Sequence, residues 1–361
     1  MEISDRGYKT LWVDSAPYPS ALRTRVLDAQ KLGTRLSTRE WLELDRDLGA
    51  WYGAVMSKII AKKKVKPLVI ANHGQTVAHF PAASRQGTTL QMGDSSRIAF
   101  ETGLTVVSHF RNGDIAAGGE GAPLLPRFHR LLAQKLDPKN EGVAIHNIGG
   151  ISNLTYVSPR GREVLAFDTG PGNLWIDHAA SRFSRGALKM DAGGKLARSG
   201  QVNTRALQVL LKHPFLKKPA PKSTGRDDFT LEMFEEVIGN FNEDAIATAV
   251  AVTVESIAEA YERFIHSKKK RLARIYIAGG GAKNLFLVEQ LQKRLSDVRV
   301  LTLDEAGIDS QMVEAQGFAL FGWLALRGEA VGGAWTGVKD FAPPAHIIPG
   351  KNWKKVLKNL S

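Results

Sequence analysis

The chain has 361 residues, 43% of them hydrophobic and 24% charged, with no cysteine and a formal net charge of +13. These values describe ordinary globular usage at a length that suits two domains, and they exclude a disordered chain, disulfides, thiolate metal sites and a cysteine nucleophile. No stretch reaches the roughly eighteen uninterrupted apolar residues of a membrane span, and MEISDRGYKT lacks the apolar core of a signal peptide, so a soluble, cytoplasmic protein is expected. The cations sit in short runs, Lys62–Lys64, Lys268–Arg271 and Lys351–Lys358. A solvated surface and helix-end charge compensation explain such runs. No basic stripe is interleaved with aromatics, so neither nucleic acid nor membrane is an expected partner. The sequon Asn153-Leu154-Thr155 carries no weight without a secretion signal.

In chain order, the first half reads as a strand at 9–14, helices at 20–32 and 37–61, strands at 67–71 and 88–92, a helix at 95–102 and a strand at 104–108. His73, in HGQT, follows a strand and reads as a structural hydrogen-bonding residue. The stretch 110–129, FRNGDIAAGGEGAPLLPRFH, combines Arg111, Asp114, Glu120 and His129 with small residues and stiffening prolines. It suits a pocket for a sugar acid, and it also fits a plain Ω-loop. The second half opens with strands at 143–147, 152–158 and 164–167. A helix at 173–184, a polar and basic insertion to about 240, a helix at 244–267, a strand at 274–278, a helix to about 295, a strand at 298–303 and an apolar helix at 311–327 follow.

The order βββαβαβα is neither a doubly wound dinucleotide fold nor a TIM barrel. It is the pattern of the ribonuclease-H-like unit that sugar kinases, actin and the Hsp70 ATPase use in duplicate. The first half offers only the later part of that unit, short of two opening strands and their turn. The expected fold is therefore α/β, with two such lobes, 1–140 and 141–361, facing an interlobe cleft. The break lies near 138–142, the first lobe is incomplete at its N-terminus, and the last helix is free to return to it.

Four glycine-rich turns stand at strand ends: GGEGAP at 118–123, NIGGISN at 147–153, DTGPGN at 168–173 and GGGAKN at 279–284. Glycine lets backbone N–H groups approach a phosphate, and four such turns together point to a phosphate or sugar site. None matches a P-loop, and GGGAKN fails the dinucleotide fingerprint at its last position. Asp168 ends an apolar strand against one of these turns. It can serve as a base beside a nucleotide, or as an Asx-turn or capping carboxylate. Glu314 opens a strongly apolar helix, where its charge alone is favourable.

The stretches NHGQTVAHFP, LQMGDSSRIAFETGLTVVSHFR, DIAAGGEGAPLLPRFH, NIGGISNLTYV, FDTGPGN, PAPKSTGRDDF, IAGGGAKN, EAQGFALFGWLA and WTG occur in this order over nearly the whole chain. Together they resemble the anhydro-N-acetylmuramic acid kinase family. The resemblance implies ATP and Mg2+, hydrolytic opening of a 1,6-anhydro amino sugar and its 6-phosphorylation in cell-wall recycling. It implies Asp168 as the base, Arg111, Asp114, Gly119, Gly121 and Glu314 around the sugar, and Gly149, Gly150, Gly170, Gly172, Gly280, Gly281 and Asn284 on the nucleotide side. It leaves the metal ligands unassigned and is compatible with a homodimer. Three departures stand out: no GTSxDG turn before Ile3, Glu120 where glutamine is usual, and His109 where aspartate is usual. The missing turn keeps a second reading open, a sugar- or nucleotide-binding pseudokinase with impaired phosphoryl transfer. An intact Asp168 opposes it.

Overall fold

A computed structural model describes residues 1–4, 7–31, 33–80, 86–225, 227–339 and 341–360. Pro81 of NHGQTVAHFP and Arg226 of PAPKSTGRDDF lie outside the described residues. The architecture is mixed α/β in two compact units, Met1–Arg127 with Glu314–Ser361, and Phe128–Val313. The sequence pattern puts the break near 138–142. In the structure the chain passes to the second unit at Phe128 and returns to the first from Glu314.

The first unit opens with a short antiparallel ribbon, β1 (Glu2–Ser4) and β2 (Gly7–Lys9). Residues 10–14 form no strand, although their alternation suggests one over 9–14. Leu11 and Val13, whose apolar character suggested the strand, stay exposed. The helix Thr38–Lys63 is set by a capping box, in which Ser37 accepts from the Glu40 N–H and Glu40 accepts from Ser37. Its Gly49 and Gly53 let the helix Ser95–Thr102 pack closely. A Cβ on Gly49 would lie 2.6 Å from the Asp94 carbonyl oxygen, and one on Gly53 2.9 Å from Glu101 Cβ.

Strands β3 (Val69–Asn72), β4 (Gln75–Phe80), β5 (Thr88–Met92) and β6 (Thr105–Ser108) follow. β3 and β6 pair in parallel, while β4 and β5 make an antiparallel hairpin. The sequence pattern misses β4 because only Val77 of its six residues is buried. Little apolar alternation is left to read.

The second unit is built on β7 (Val143–Ile148), β8 (Ile151–Val157), β9 (Val164–Pro171), β10 (Arg274–Ala278) and β11 (Arg299–Thr302). The sheet order is β11-β10-β7-β8-β9, with an antiparallel meander over β7, β8 and β9 and with β10 and β11 parallel to β7. This is the ribonuclease-H-like order that the element sequence implies. Its core takes Phe167 and Tyr156 from the sheet, Trp175 and Ile176 from the helix Leu174–Phe183, and the apolar face of the helix Glu243–Tyr261.

The segment between those helices is not a mere polar insertion. It forms the short helices Lys195–Ser199, Thr204–Leu210, Pro214–Lys217 and Leu231–Ile238, and it buries Phe215, Phe229 and Phe234. Trp175 stacks on Phe234 at 5.3 Å between ring centroids. Helices of four to eight residues are too short to show a 3.6-residue period amid lysines.

The C-terminal tail also does more than carry charge. β12 (His346–Ile348) pairs antiparallel with β6, which completes a sheet β12-β6-β3 in the first unit. Asn352 fixes this return. Its Oδ1 accepts from the Thr105 N–H at 2.8 Å and its Nδ2 donates to the Leu68 carbonyl at 2.7 Å.

Candidate functional site

The candidate residues fall into two groups, one in each unit. In the second unit, three of the four glycine turns meet at one end of the five-stranded sheet. The turn Gly149-Gly150 joins β7 to β8, while Gly170 and Gly172 end β9. Gly172 N–H donates to the Gly150 carbonyl at 2.8 Å, and Asn173 N–H donates to the Gly149 carbonyl at 2.7 Å. A Cβ on Gly172 would sit 2.3 Å from the Gly149 carbonyl oxygen, and one on Gly281 would sit 2.5 Å from Ile148 Cβ. These two glycines are thus required by contact between the turns themselves. Gly280 is more open, since a Cβ there would come no nearer than 3.1 Å, to Asn173 Nδ2. Asn284 is buried and caps the helix Leu285–Arg294, its Oδ1 accepting from the Leu287 N–H at 3.0 Å. Its side chain therefore holds the GGGAKN turn against the helix.

Asp168 lies within β9, which runs on to Pro171, and not beyond the end of a strand over 164–167 as the apolar run suggests. Asn153 pairs with Asp168 but Ser152 pairs with Gly170, so Thr169 is an extra residue and the strand bulges at the carboxylate. A bulge re-aims a side chain, so the Asp168 carboxylate departs from the regular alternation of the strand. Beneath it runs a buried polar chain. Thr169 Oγ1 bonds Ser152 Oγ at 2.8 Å, Ser152 Oγ bonds His146 Nε2 at 2.7 Å, and His146 Nδ1 bonds the Tyr261 hydroxyl at 3.2 Å. Burial pushes the His146 pKa down to about 3, so the imidazole is neutral.

The carboxylate is pinned from a segment far along the chain. Asp168 Oδ2 accepts from the Thr224 N–H at 2.9 Å and from Ser223 Oγ at 3.3 Å, and the Asp168 N–H donates to the Lys222 carbonyl at 3.0 Å. Lys222 itself is held in an aromatic box. Its Nζ lies 4.6 Å from the Phe215 ring centroid, 5.7 Å from Phe167 and 5.8 Å from Phe264, and it donates to the Phe215 and Leu216 carbonyls. Burial, then the nearby Arg263 charge, brings its pKa down to about 8. Lys222, Ser223 and Thr224 are visible in sequence only as part of a motif in a polar stretch. No local pattern places them against Asp168.

In the first unit, Arg111 follows the buried strand β6 and is tied from two sides. Its Nε donates to His73 Nε2 at 3.1 Å and its Nη1 donates to the Gly121 carbonyl at 2.7 Å. His73 must be neutral to accept. Burial, then the Arg111 charge, brings its pKa down to about 3. Burial also lowers the Arg111 pKa, while the charges of Glu314 and Asp114 favour the guanidinium. Glu314 is exposed in the first turn of the helix Val313–Leu326.

Asp114 is buried, and both its oxygens are engaged. Oδ2 accepts from the Gly121 N–H at 2.7 Å and Oδ1 accepts from Thr336 Oγ1 at 2.7 Å. Burial raises its pKa, and the bonds from Thr336 and Gly121 work against that rise. A Cβ on Gly119 would lie 2.4 Å from Asp114 Oδ2. Gly121 has φ +65°. The GGEG loop is therefore wrapped on this carboxylate, with Thr336 of the WTG segment closing it from the tail.

Sequence reasoning missed His79 and Gln91, on the β4–β5 hairpin. His79 Nδ1 bonds Thr89 Oγ1 at 3.0 Å, and Gln91 Nε2 donates to the same hydroxyl at 2.7 Å. Among the described residues, His79 Nε2 and Gln91 Oε1 are buried polar atoms with no hydrogen-bond partner. Such atoms next to a loop that carries Arg111 are where a polar ligand finds its contacts. His129 is buried in the second unit, where its Nδ1 bonds Thr155 Oγ1 at 2.8 Å. It is thus a core residue of that unit. His109 has φ 58° and stacks on His346 at 4.7 Å.

A family model described as anhydro-N-acetylmuramic acid kinase matches residues 1–338. A relative of that description from Acidithiobacillus ferrooxidans is 37% identical, over 98% of this chain and 88% of its own length. Relatives from Francisella tularensis subsp. novicida and Gloeobacter violaceus are 38% and 39% identical, each over 88% of this chain and 84% of their own length. Solved structures match weakly. One is the activator of the 2-hydroxyisocaproyl-CoA dehydratase from Clostridium difficile with bound ADPNP, at 14% identity and TM-score 0.36 over 65% of this chain and 84% of that one. A likeness of that size carries no functional argument. The sequence matches define the class first: the chain is a kinase, a phosphotransferase of sugar metabolism. It belongs to the anhydro-N-acetylmuramic acid kinase family. Among the described residues no helix is long and apolar enough to cross a membrane.

Proposed function

We propose that the chain uses ATP to convert 1,6-anhydro-N-acetylmuramic acid and water into N-acetylmuramic acid 6-phosphate and ADP, a step of cell-wall recycling. The observation that carries this reading is Asp168, fixed at a bulge in β9 beside three convergent glycine turns. In this mechanism Asp168 takes a proton from the water that attacks the anomeric carbon. The bond from that carbon to the 6-oxygen breaks, and the freed oxygen receives the γ-phosphoryl group. A base positioned in this way supplies what phosphoryl transfer needs most, an oriented nucleophile.

Arg111 suits the lactyl carboxylate of the sugar, because a guanidinium has five N–H donors and only two are bound to His73 and Gly121 here. Glu314, exposed near it, suits a sugar hydroxyl. Asp114, with both oxygens engaged, holds the Gly119–Gly121 loop in place. Gly149, Gly150, Gly170, Gly172, Gly280 and Gly281 would form the surface for the nucleotide, with Asn284 bracing it. Magnesium is expected with ATP, yet the described residues gather no group of three or more His, Asp or Glu side chains that could hold a metal. Magnesium bound with a nucleotide keeps several waters and takes one or two carboxylates, so such an ion would be held mainly by phosphate and water oxygens.

The test is product analysis in water enriched with 18O. The expected result is one ADP for each sugar 6-phosphate, with the label at the anomeric carbon. Sugar binding without any sugar phosphate would replace this reading with a binding role.

A further inference from the structure

We propose that the second unit carries a separate binding site for a base-free oligophosphate, at the end of the sheet opposite its glycine turns. Two adjoining cavities, about 260 Å³ and 470 Å³, share Asn140, Ser158 and Arg160. They lie where β7 and β9 begin and β8 ends. β7 has six residues at about 3.3 Å each, which separates these cavities from the Gly149-Gly150 turn by about 20 Å. The site is therefore distinct from the Asp168 end.

Five exposed cations line the pair of cavities: Arg130, Lys139, Arg160, Arg162 and Arg271. Their neighbours are paired, Lys270 with Glu163 at 2.5 Å and Arg274 with Glu141 at 3.6 Å. Among the described residues these five have no carboxylate within ion-pair reach. The acid that does line the cavity, Asp137, is satisfied by the N–H groups of Glu141 at 2.9 Å and Gly142 at 2.8 Å. Unpaired like charges gathered around a concave surface raise the local potential and favour an anion that spans them.

The chemistry selects the anion. Four of the five groups are guanidinium forks, which match phosphate oxygens two at a time. Because the cations are spread over both chambers with Arg160 between them, an occupant with charges along a chain fits better than a single phosphate. Among the described residues no aromatic side chain lines either cavity, so a nucleobase would find no ring to stack on.

The test uses the full chain, tripolyphosphate as probe, and hydrogen exchange with calorimetry as readouts. Tripolyphosphate should bind saturably, weaken with added salt, and protect the amides of 137–142 and 157–163. Arg160→Gln with Arg162→Gln should weaken this binding at least tenfold and abolish that protection, while sugar phosphorylation stays at its wild-type rate. If that pair does not fold, Lys139→Gln with Arg271→Gln serves the same purpose. Protection confined to 149–150 and 279–281, or unchanged affinity in the variant, would overturn the site. So would a groove that takes single-stranded oligonucleotide or anionic vesicles in preference to tripolyphosphate.

Discussion

The two units differ in how their strands are arranged and in how their candidate residues are held. The second is organised on one continuous five-stranded sheet with a large apolar core that includes Trp175, Phe167, Phe215, Phe229 and Phe234. The first distributes its described strands over three small sheets and buries apolar side chains around Leu44–Leu48, around Ile98–Val106 and where Phe110 meets Phe318 and Phe321. Its candidate loop carries a set of buried polar ties, Arg111 to His73 and Gly121, and Asp114 to Gly121 and Thr336, beside the packing of Phe110 on Phe318 and Phe321. The Asp168 carboxylate is thus held on a sheet with one large apolar core, while the loop 118–121 is wrapped on the buried Asp114 carboxylate. Apolar packing is non-directional and tolerates relaxation, whereas a buried polar tie fails as soon as one partner is lost.

The largest effect should come from the Asp168 end of that sheet. Asp168→Asn should keep the bulge and the bond from the Thr224 N–H, yet lower turnover by roughly 10²–10⁴-fold, the usual span for losing a general base. Steady-state assays beside a thermal melt check it. Near-wild-type turnover at saturating sugar and ATP would remove Asp168 from the chemistry.

Trp175→Ala attacks the large apolar core itself. It removes a ring that stacks on Phe234 and donates to the Thr230 carbonyl at 3.0 Å. A loss of about 3–5 kcal/mol in unfolding free energy is expected for a buried aromatic. Denaturant titration measures it, and a loss under about 1 kcal/mol would mean that the ring contributes little to a continuous core.

Thr336→Val probes the polar ties. It keeps the shape but leaves Asp114 Oδ1 buried without its hydroxyl donor, at a cost of about 1–3 kcal/mol. The effect should be local, with faster hydrogen exchange at 118–121 and a raised KM for the sugar. Exchange that quickened equally across both units would contradict a loop held by local bonds.

Acid should act on both units through buried neutral imidazoles. The pKa values of His73, in the first unit, and His129 and His146, in the second, are brought down to about 3, chiefly by burial. An unfolded histidine binds a proton near pH 6.5 and these folded ones do not, so stability is full above that pH and falls as pH drops from about 6.5 toward 3. The slope should be about 1.4 kcal/mol per pH unit for each such group once the pH is well below 6.5. Melts between pH 7 and pH 5 check the sign, and a stability that rose on acidification would contradict it.

Sequence pattern alone resolved the βββαβαβ order of the second unit because its strands are apolar runs bounded by glycine turns, while the closing helix of the expected βββαβαβα pattern falls in the first unit. It also singled out Asp168 as a candidate, since an aspartate after such a run and before TGPGN is a local signal. It placed all four glycine turns at strand ends, whereas GGEGAP at 118–123 follows the short helix Asn112–Ala116 instead; its ordered motifs carried the resemblance to the family. Three-dimensional packing decided the rest. Lys222, Ser223 and Thr224 reach Asp168 from more than fifty residues away in sequence, as the 56-residue separation of the Thr224 bond shows. Thr336 closes on Asp114 across a separation of 222 residues. β4 and β12 are strands because a partner strand satisfies their backbone N–H and C=O groups, not because their side chains alternate. The same holds in reverse at 10–14, where alternation exists and no partner does. Local sequence fixes propensity and periodicity; which buried polar group meets which partner depends on contacts made only when distant segments pack.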